Sequence, residues 1–214
     1  MHIILPIILI ITAYLLGSIP FGLLIGKSKG IDIRTQGSHN IGATNAVRTL
    51  GKKLGILVFF LDAIKTALLV ALIKFNVIIF PENTPQMLSH PLLFGLVGII
   101  GHLFPIFLKF KGGKGVSSIA GVVLTYSFPI AFVALCVFFI VFFITKIVSI
   151  SSISAAFTLI IVYLILHFIL PLKFNDPIFL ICLIVLFLLI LYTHRSNIKR
   201  LLKGEENKFT SSKK

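Results

Sequence analysis

Long apolar runs alternate with short polar stretches along the whole chain. Crossing a hydrocarbon core takes roughly 20 apolar residues in a helix, and the runs approach or exceed that length. The pattern therefore predicts an all-α integral membrane protein with seven transmembrane helices. The predicted spans are residues 3–25, 54–80, 91–108, 116–126, 129–145, 153–170 and 177–193.

Two of the runs contain breaks. Pro20 and the small residues near it predict an irregular second half for the first span. Residues 116–145 contain no charge, but Pro129 disfavours helical geometry in the residue before it, so we expect two spans there. The alternative is one long tilted helix and six spans in all.

Positive charge orients the spans. Of the 20 Lys and Arg residues, 17 lie in the stretches 26–53, 109–115, Lys146 and 194–214. Seven spans put all four on one side, and basic loops mark the cytoplasmic side. The N-terminus is therefore predicted outside and the C-terminus in the cytoplasm. Six spans would put the basic C-terminal tail outside, which disfavours that alternative.

Composition sets the class of protein and of partner. A hydrophobic fraction of 57% and a mean hydropathy of +1.10 are too high for a soluble domain of 214 residues. We expect a single membrane-embedded domain over residues 1–214, with a disordered tail at about 209–214. The net charge of +14 lies beside apolar spans, which favours membrane lipids and phosphorylated substrates and predicts no nucleic acid.

A charged pair lies inside the second predicted span. Asp62 and Lys65 are three residues apart, which is close enough to pair on one helix face. A structural, self-neutralising pair is favoured over a functional one.

The first basic stretch concentrates small and polar residues before an arginine. Ser38, Asn40, Thr44 and Asn45 offer neutral hydrogen-bonding groups, and Arg48 could bind a phosphate through two parallel hydrogen bonds. The alternative is an ordinary polar loop whose arginine contacts lipid phosphate.

The second stretch joins glycines and lysines directly to an apolar helix. Glycine lets the backbone wrap an anion, and the free N–H groups of a helix start attract negative charge. This indicates an anion site, unless the segment is only a basic turn near the membrane. Its candidate residues are Lys111, Gly112, Gly113, Lys114 and Gly115.

The third stretch opens directly after the last span. His194 lies at the interface, and Asn197 follows about one helical turn later, next to Arg195. Ser149, Ser151 and Ser152 belong to a short turn expected after Lys146. Asp32, Glu205 and Glu206 are the only acids in the basic stretches, so we predict no metal site.

Together the three stretches resemble one family, the bacterial membrane acyl-phosphate:glycerol-3-phosphate acyltransferases. The matching motifs are residues 37–51 (GSHNIGATNAVRTLG), 101–118 (GHLFPIFLKFKGGKGVSS) and 194–208 (HRSNIKRLLKGEENK). His39 is a mild departure, because small or polar residues are more usual there.

The resemblance implies acyl transfer from acyl phosphate to the 1-hydroxyl of glycerol 3-phosphate, giving 1-acyl-glycerol 3-phosphate and phosphate. It implies no cofactor, no metal, and no need for acyl-CoA or acyl-carrier protein. It also implies a bacterial inner-membrane enzyme of phospholipid synthesis with a cytoplasmic active site. The implied catalytic set is Ser38, Arg48, Lys111, His194 and Asn197. For the acyl phosphate the resemblance implies Gly112, Gly113, Lys114, Gly115 and Ser149. The predicted substrate-binding set is completed by polar residues of the first and third stretches, namely Asn40, Thr44, Asn45 and Arg195.

Two other classes compete with this interpretation. A transporter of a phosphorylated metabolite would place its charges near the bilayer midplane, often between inverted repeats. Here the polar groups are interfacial and no repeat is visible. A purely structural membrane partner would leave the glycine-lysine segment without a purpose.

Overall fold

The computed structural model describes residues 2–209, and every regular element in that range is a helix. The chain forms two compact units, one ending at Tyr126 and the other beginning at Ser127. The first unit contains α1 (Ile4–Ser18), α2 (Phe21–Ser28), α3 (Ala43–Leu50), α4 (Lys52–Lys74), α5 (Gln86–Ser89), α6 (Pro91–Leu103) and α7 (Val116–Tyr126), with 3₁₀ turns at Ile33–Thr35 and Ile106–Leu108. The second contains α8 (Phe128–Thr145), α9 (Val148–Ile169), α10 (Pro177–Thr193) and α11 (Arg195–Leu202).

Four helical segments are long and apolar enough to cross a membrane: α4, α6 with the 3₁₀ turn after it, α8 and α9. The pairs α1–α2 and α10–α11 raise the number to six if each is counted across its bend, of 41° and 62° respectively. Helix α7 is apolar but has only 11 residues. The described residues therefore form a helical protein of membrane-spanning character, and the seventh span stays a prediction.

The core of the first unit lies where α1, α4 and α6 pack together. Its centre is an apolar cluster of Leu9, Ala13, Leu69, Ile73 and Phe94. The outer faces of α1 and α4 are also apolar and exposed, which suits contact with lipid and would be costly in water.

The first predicted span is broken, as its proline and glycines predicted. Helix α1 ends at Ser18 and α2 begins at Phe21. At the break, the Ile19 carbonyl accepts the Phe21 N–H at 3.2 Å and the Lys65 ammonium at 2.6 Å. A side chain from α4 therefore stabilises the bend.

The second span is shorter than predicted. Helix α4 ends at Lys74, whereas the apolar run continues to residue 80. Asn76 adopts a left-handed conformation with φ of 57°, and the next two N–H groups donate to the Leu72 carbonyl. This is a common way to end a helix. Ile78 and Phe80 then pack on the apolar cluster without being helical, which is why hydropathy alone overestimated the helix.

The break predicted before Pro129 is confirmed. Ser127 is extended, with φ of −144° and ψ of 90°, so α7 and α8 are separate helices. The alternative of one long helix over residues 116–145 is therefore wrong. The boundary between the two units falls at the same place.

In the second unit, α9 begins earlier than expected. Lys146 ends α8 in a left-handed conformation with φ of 59°, and α9 starts two residues later. Ser151 and Ser152 were predicted in a turn but lie inside α9, where each hydroxyl donates to the carbonyl four residues before it. Phe209 donates its N–H to the Lys146 carbonyl at 2.6 Å. Residues 210–214, the rest of the predicted disordered tail, lie outside the described residues.

Candidate active site

The polar stretch before α3 is built around the side chain of Asn45. The Nδ2 group of Asn45 donates to the backbone carbonyls of Ile33, Gln36 and Asn40, at 2.7, 3.1 and 2.8 Å. The Oδ1 atom accepts the N–H of Ser38 at 2.7 Å. Asn45 was predicted to contact substrate, but it is only 1% exposed and its hydrogen-bonding groups are used by the backbone. Its contribution to the site is therefore the shape of the loop.

The remaining predicted residues of this stretch differ in availability. Ser38 is exposed, while Thr44 and Arg48 are partly buried. The Asn40 side chain accepts the Gly42 N–H at 2.9 Å, which turns the chain into α3. Within residues 2–209, Arg48 makes no ion pair with a carboxylate. Its guanidinium is consequently available to an anionic ligand.

His39, the departure from the family pattern, has φ of 56°. This left-handed region is costly for most residues, although histidine enters it more often than most. The imidazole Nδ1 lies 3.0 Å from the Arg34 carbonyl, so the ring helps to hold the turn.

Asp32 and Arg34 form an exposed ion pair just before this loop. The Arg34 guanidinium donates to the Asp32 carboxylate at 2.6 Å. Hydrogen bonds from Arg34 lower the pKa of Asp32 to about 2. The pair stays ionised at neutral pH, and Asp32 is already engaged by a neighbouring cation.

The glycine loop, residues Gly112–Gly115, closes against the end of α6. The N–H of Gly112 donates to the Leu103 carbonyl at 3.1 Å, and that of Gly113 donates to the His102 carbonyl at 3.2 Å. We expected backbone N–H groups of this loop to bind an anion, but these two already donate to carbonyls of α6. Gly115 has φ of 84°, and α7 begins at the next residue, as predicted. The first turn of α7 is therefore the best placed source of backbone donors in this segment.

The first two stretches are connected through an apolar cluster. Leu108, just before the glycine loop, packs against Leu23, Ile33 and Ile41. Ile33 also supplies a carbonyl to Asn45, so one cluster supports both polar segments. Lys111 is exposed in the second segment and makes no ion pair with a carboxylate within residues 2–209.

The pairing of Asp62 with Lys65 is confirmed. The Lys65 Nζ atom lies 2.7 Å from Asp62 Oδ1, and both side chains are buried. The pattern did not indicate a third member: His102, at the end of α6, places its Nδ1 atom 3.6 Å from the same oxygen.

In the second unit, three polar side chains meet at Glu206. The carboxylate accepts hydrogen bonds from Ser149 at 2.9 Å, Asn197 at 2.6 Å and Arg200 at 2.7 Å. Burial raises the pKa of Glu206, but these hydrogen bonds outweigh burial and hold its pKa below the ordinary value. Ser149 and Asn197 were both predicted in the site, and Glu206 brings them together.

His194 lies at the bend between α10 and α11 and is 2% exposed. Its Nδ1 atom is 2.9 Å from the Ile190 carbonyl. A carbonyl oxygen only accepts, so in this hydrogen bond Nδ1 is the donor. Arg195 is exposed and stacks its guanidinium on the Tyr192 ring, 4.5 Å from the ring centre.

Sequence reasoning missed Glu206 and His102. Glu206 gave one usable signal, because it is one of only six acids in the chain and follows a cation-rich helix. His102 lies in the second matching motif, but its partners on α4 are remote in the sequence, so the motif did not indicate its role.

Comparison with known proteins places these features in a family. The family model described as glycerol-3-phosphate acyltransferase matches residues 7–204. A Bacillus velezensis glycerol-3-phosphate acyltransferase is 45% identical over 206 residues, covering 94% of this chain and 96% of the relative. The Bacillus subtilis protein of that name is 44% identical over 206 residues, with the same coverage of both chains.

Solved structures agree with the sequence relatives. Crystal structures of PlsY (YgiH), an integral membrane glycerol 3-phosphate acyltransferase, match in the glycerol 3-phosphate form and in the lysophosphatidic acid form. Their TM-scores are 0.81 and 0.79, at 40% identity and 96% coverage of each chain. The chain therefore belongs to the glycerol-3-phosphate acyltransferase family.

Proposed function

We propose that this enzyme transfers a fatty acyl group from an acyl phosphate to the 1-hydroxyl of glycerol 3-phosphate at the cytoplasmic face of the bacterial inner membrane. The acylation of glycerol 3-phosphate follows from the family. The donor, the orientation and the residue roles are the proposal.

The observation that carries the donor assignment is the composition of the two polar segments in the first unit. They hold Arg48 and Lys111, which pair with no carboxylate among residues 2–209, and a glycine loop that leads directly into α7. Both proposed substrates carry a phosphate, and cationic side chains and the N–H groups at a helix start bind phosphate well. An acyl phosphate also has a good leaving group, so positioning and charge stabilisation can supply much of the rate.

The proposed roles in the first unit separate the two phosphates. Ser38, Arg48 and Lys111 bind the phosphate of glycerol 3-phosphate. Lys114 and the first turn of α7 bind the phosphate of the donor, beside Gly112–Gly115. In the second unit, the resemblance assigns contacts with glycerol 3-phosphate to His194 and Asn197.

The reaction forms one ester bond and breaks one mixed anhydride bond. The 1-hydroxyl oxygen attacks the acyl carbonyl carbon, and the carbon–oxygen bond to the phosphate breaks. Inorganic phosphate leaves, and the hydroxyl proton passes either to His194 or to a substrate phosphate.

Replacement of His194 by glutamine decides between these proton acceptors. A histidine base predicts a large loss of kcat, about a hundredfold or more, and loss of the limb of the pH profile that reports the imidazole. Near-full turnover with an unchanged pH profile would assign the proton to substrate phosphate.

The first test mixes purified enzyme with palmitoyl phosphate and glycerol 3-phosphate, with palmitoyl-CoA as the parallel donor. Release of phosphate and of 1-acyl product that requires both substrates, with no activity from the CoA ester, is the expected result. Activity with palmitoyl-CoA alone would overturn the donor assignment. Uptake of glycerol 3-phosphate into sealed vesicles without acyl phosphate would instead support a transporter.

Seven spans with a cytoplasmic C-terminus are part of the same proposal, on the distribution of basic residues. In a variant lacking Cys136 and Cys182, single cysteines at positions 82 and 208 report the two sides. A membrane-impermeant maleimide applied to intact spheroplasts should label the cysteine at position 82 only. Labelling at position 208 would show that the C-terminus lies outside and would contradict the proposed orientation.

A further inference from the structure

A buried charged cluster lies in the first unit, and the proposed roles do not use it. It consists of Asp62 and Lys65 on α4 and of His102 at the end of α6. Their side chains are 2%, 4% and 4% exposed. Burying ionised groups is expensive, and a buried ion pair is weak evidence for stability. The contacts of the cluster indicate instead that it holds neighbouring segments of the first unit in place.

The cluster contacts the segments around the glycine loop. Lys65 donates to the Ile19 carbonyl at the break between α1 and α2, at 2.6 Å. Ser118, in the first turns of α7, donates its hydroxyl to the Asp62 carbonyl at 3.2 Å. Thr66 completes the junction by donating to the Ser118 carbonyl at 3.1 Å. The start of α7 is thus fixed to the part of α4 that carries the ion pair.

His102 extends this junction to the glycine loop itself. A Cβ atom added to Gly113 would have three imidazole atoms of His102 as its nearest neighbours and would overlap the ring. The Gly113 N–H also donates to the His102 carbonyl at 3.2 Å. One residue therefore contacts Gly113 through both its backbone and its ring, while Asp62 lies beside Nδ1 on the opposite edge of the ring.

We propose that His102 is a positioning residue for the acyl donor: its imidazole, set by the Asp62–Lys65 pair, is the surface on which Gly113 lies. The ring fixes the position of Gly113, and so the path of the glycine loop into the first turn of α7. This inference rests on the proposed function, in which the loop and α7 bind the phosphate of the acyl phosphate. It assigns no direct contact with substrate to His102.

The proposal predicts a selective effect on one substrate. His102→Ala removes the ring and leaves the Asp62–Lys65 pair intact. We expect the KM for palmitoyl phosphate to rise about tenfold and the KM for glycerol 3-phosphate to change less than about twofold, because a small displacement of a binding group is costly. Ile100→Ala is the matched control, since it truncates an exposed residue of the same helix.

A double-mutant cycle with Gly113→Ala tests the contact directly. In the wild-type background the new methyl group overlaps the imidazole and should impair donor binding. In the His102→Ala background the methyl group has room, so the penalty of Gly113→Ala should shrink at least about fivefold. His102→Asn replaces His102→Ala in the cycle if the alanine variant does not purify as a folded species.

Hydrogen exchange of residues 109–117, without substrate, gives a readout independent of turnover. We expect faster exchange in His102→Ala than in the wild type or in Ile100→Ala. Equal exchange, additive effects in the cycle, or equal shifts in both KM values would overturn the positioning role. Failure of the wild type to use palmitoyl phosphate would overturn the proposed donor instead. The exchange result would still test whether His102 positions the glycine loop.

Discussion

Two polar segments, one in each unit, are held by buried side chains of different kinds. Asn45 is neutral, and every hydrogen bond of its side chain goes to backbone within residues 33–45. Glu206 is charged, and it accepts from side chains of α9 and α11 as much as 57 residues away. The first segment is therefore organised locally and without charge, whereas the second depends on charge and on long-range contacts.

The largest expected effect comes from removing the side chain of Asn45, the neutral residue that holds the first segment. Asn45→Ala removes the donor to the buried Ile33 carbonyl and to the Asn40 carbonyl, whereas the Gln36 carbonyl keeps the N–H of His39. A buried unsatisfied group costs about 1–3 kcal/mol. We expect kcat/KM for glycerol 3-phosphate to fall by about a hundredfold or more, since about 1.4 kcal/mol corresponds to a factor of ten.

Gln36→Ala is the control for this loss. Gln36 contributes only its backbone carbonyl to Asn45, so the truncation should leave kcat/KM unchanged. Thermal melting by circular dichroism checks that both variants are folded. Normal activity in folded Asn45→Ala would show that the loop does not need its buried amide.

A smaller effect is expected from neutralising Glu206, the charged residue that holds the second segment. Glu206→Gln keeps the size of the side chain but removes the negative charge that Arg200 contacts. Hydrogen bonds to charged groups contribute about 1.5–3 kcal/mol, so we expect kcat/KM to fall about tenfold or somewhat more. Glu205→Gln is the matched control, because Glu205 precedes Glu206 in the chain and its side chain is exposed. Equal activity of the two variants would remove Glu206 from the active-site scaffold.

The smallest effect is a pH response confined to the second segment. The pKa of Glu206 is lowered from 4.5 on folding, so its stabilisation is complete above pH 4.5 and is lost as the pH falls through the folded value. Hydrogen exchange of residues 203–209, corrected for the intrinsic rate, should rise only below that pH.

The first segment provides the contrast in the same experiment. Asn45 does not titrate, and the pKa of nearby Asp32 is about 2, so residues 37–48 should show no step between pH 4.5 and 3.5, the range in which residues 203–209 begin to respond. Glu206→Gln should abolish the step in residues 203–209. A step that persists in this variant would assign the titration to another group.

The length of the apolar runs and proline chemistry were sufficient to predict most of the long helices. The break at Ser127 follows from Pro129, and the start of α7 follows from the glycines before it. The end of α4 could not be predicted, because residues 77–80 are equally apolar whether they continue a helix or pack beside one. The side-chain roles were harder still. Ser149 and Asn197 gave a pattern but not the carboxylate that joins them, and Asn45 resembled a ligand although it holds the loop.

The short length of α7 has a consequence for the surrounding bilayer. Its 11 residues reach only about 16 Å, roughly half of a hydrocarbon core about 30 Å thick. If α7 spans as proposed, the glycine loop lies below the headgroup plane unless the bilayer thins around it. Hydrophobic mismatch of this kind costs a fraction of a kcal/mol per Å and depends on lipid chain length. Turnover should therefore respond to the thickness of the membrane that its own product helps to build.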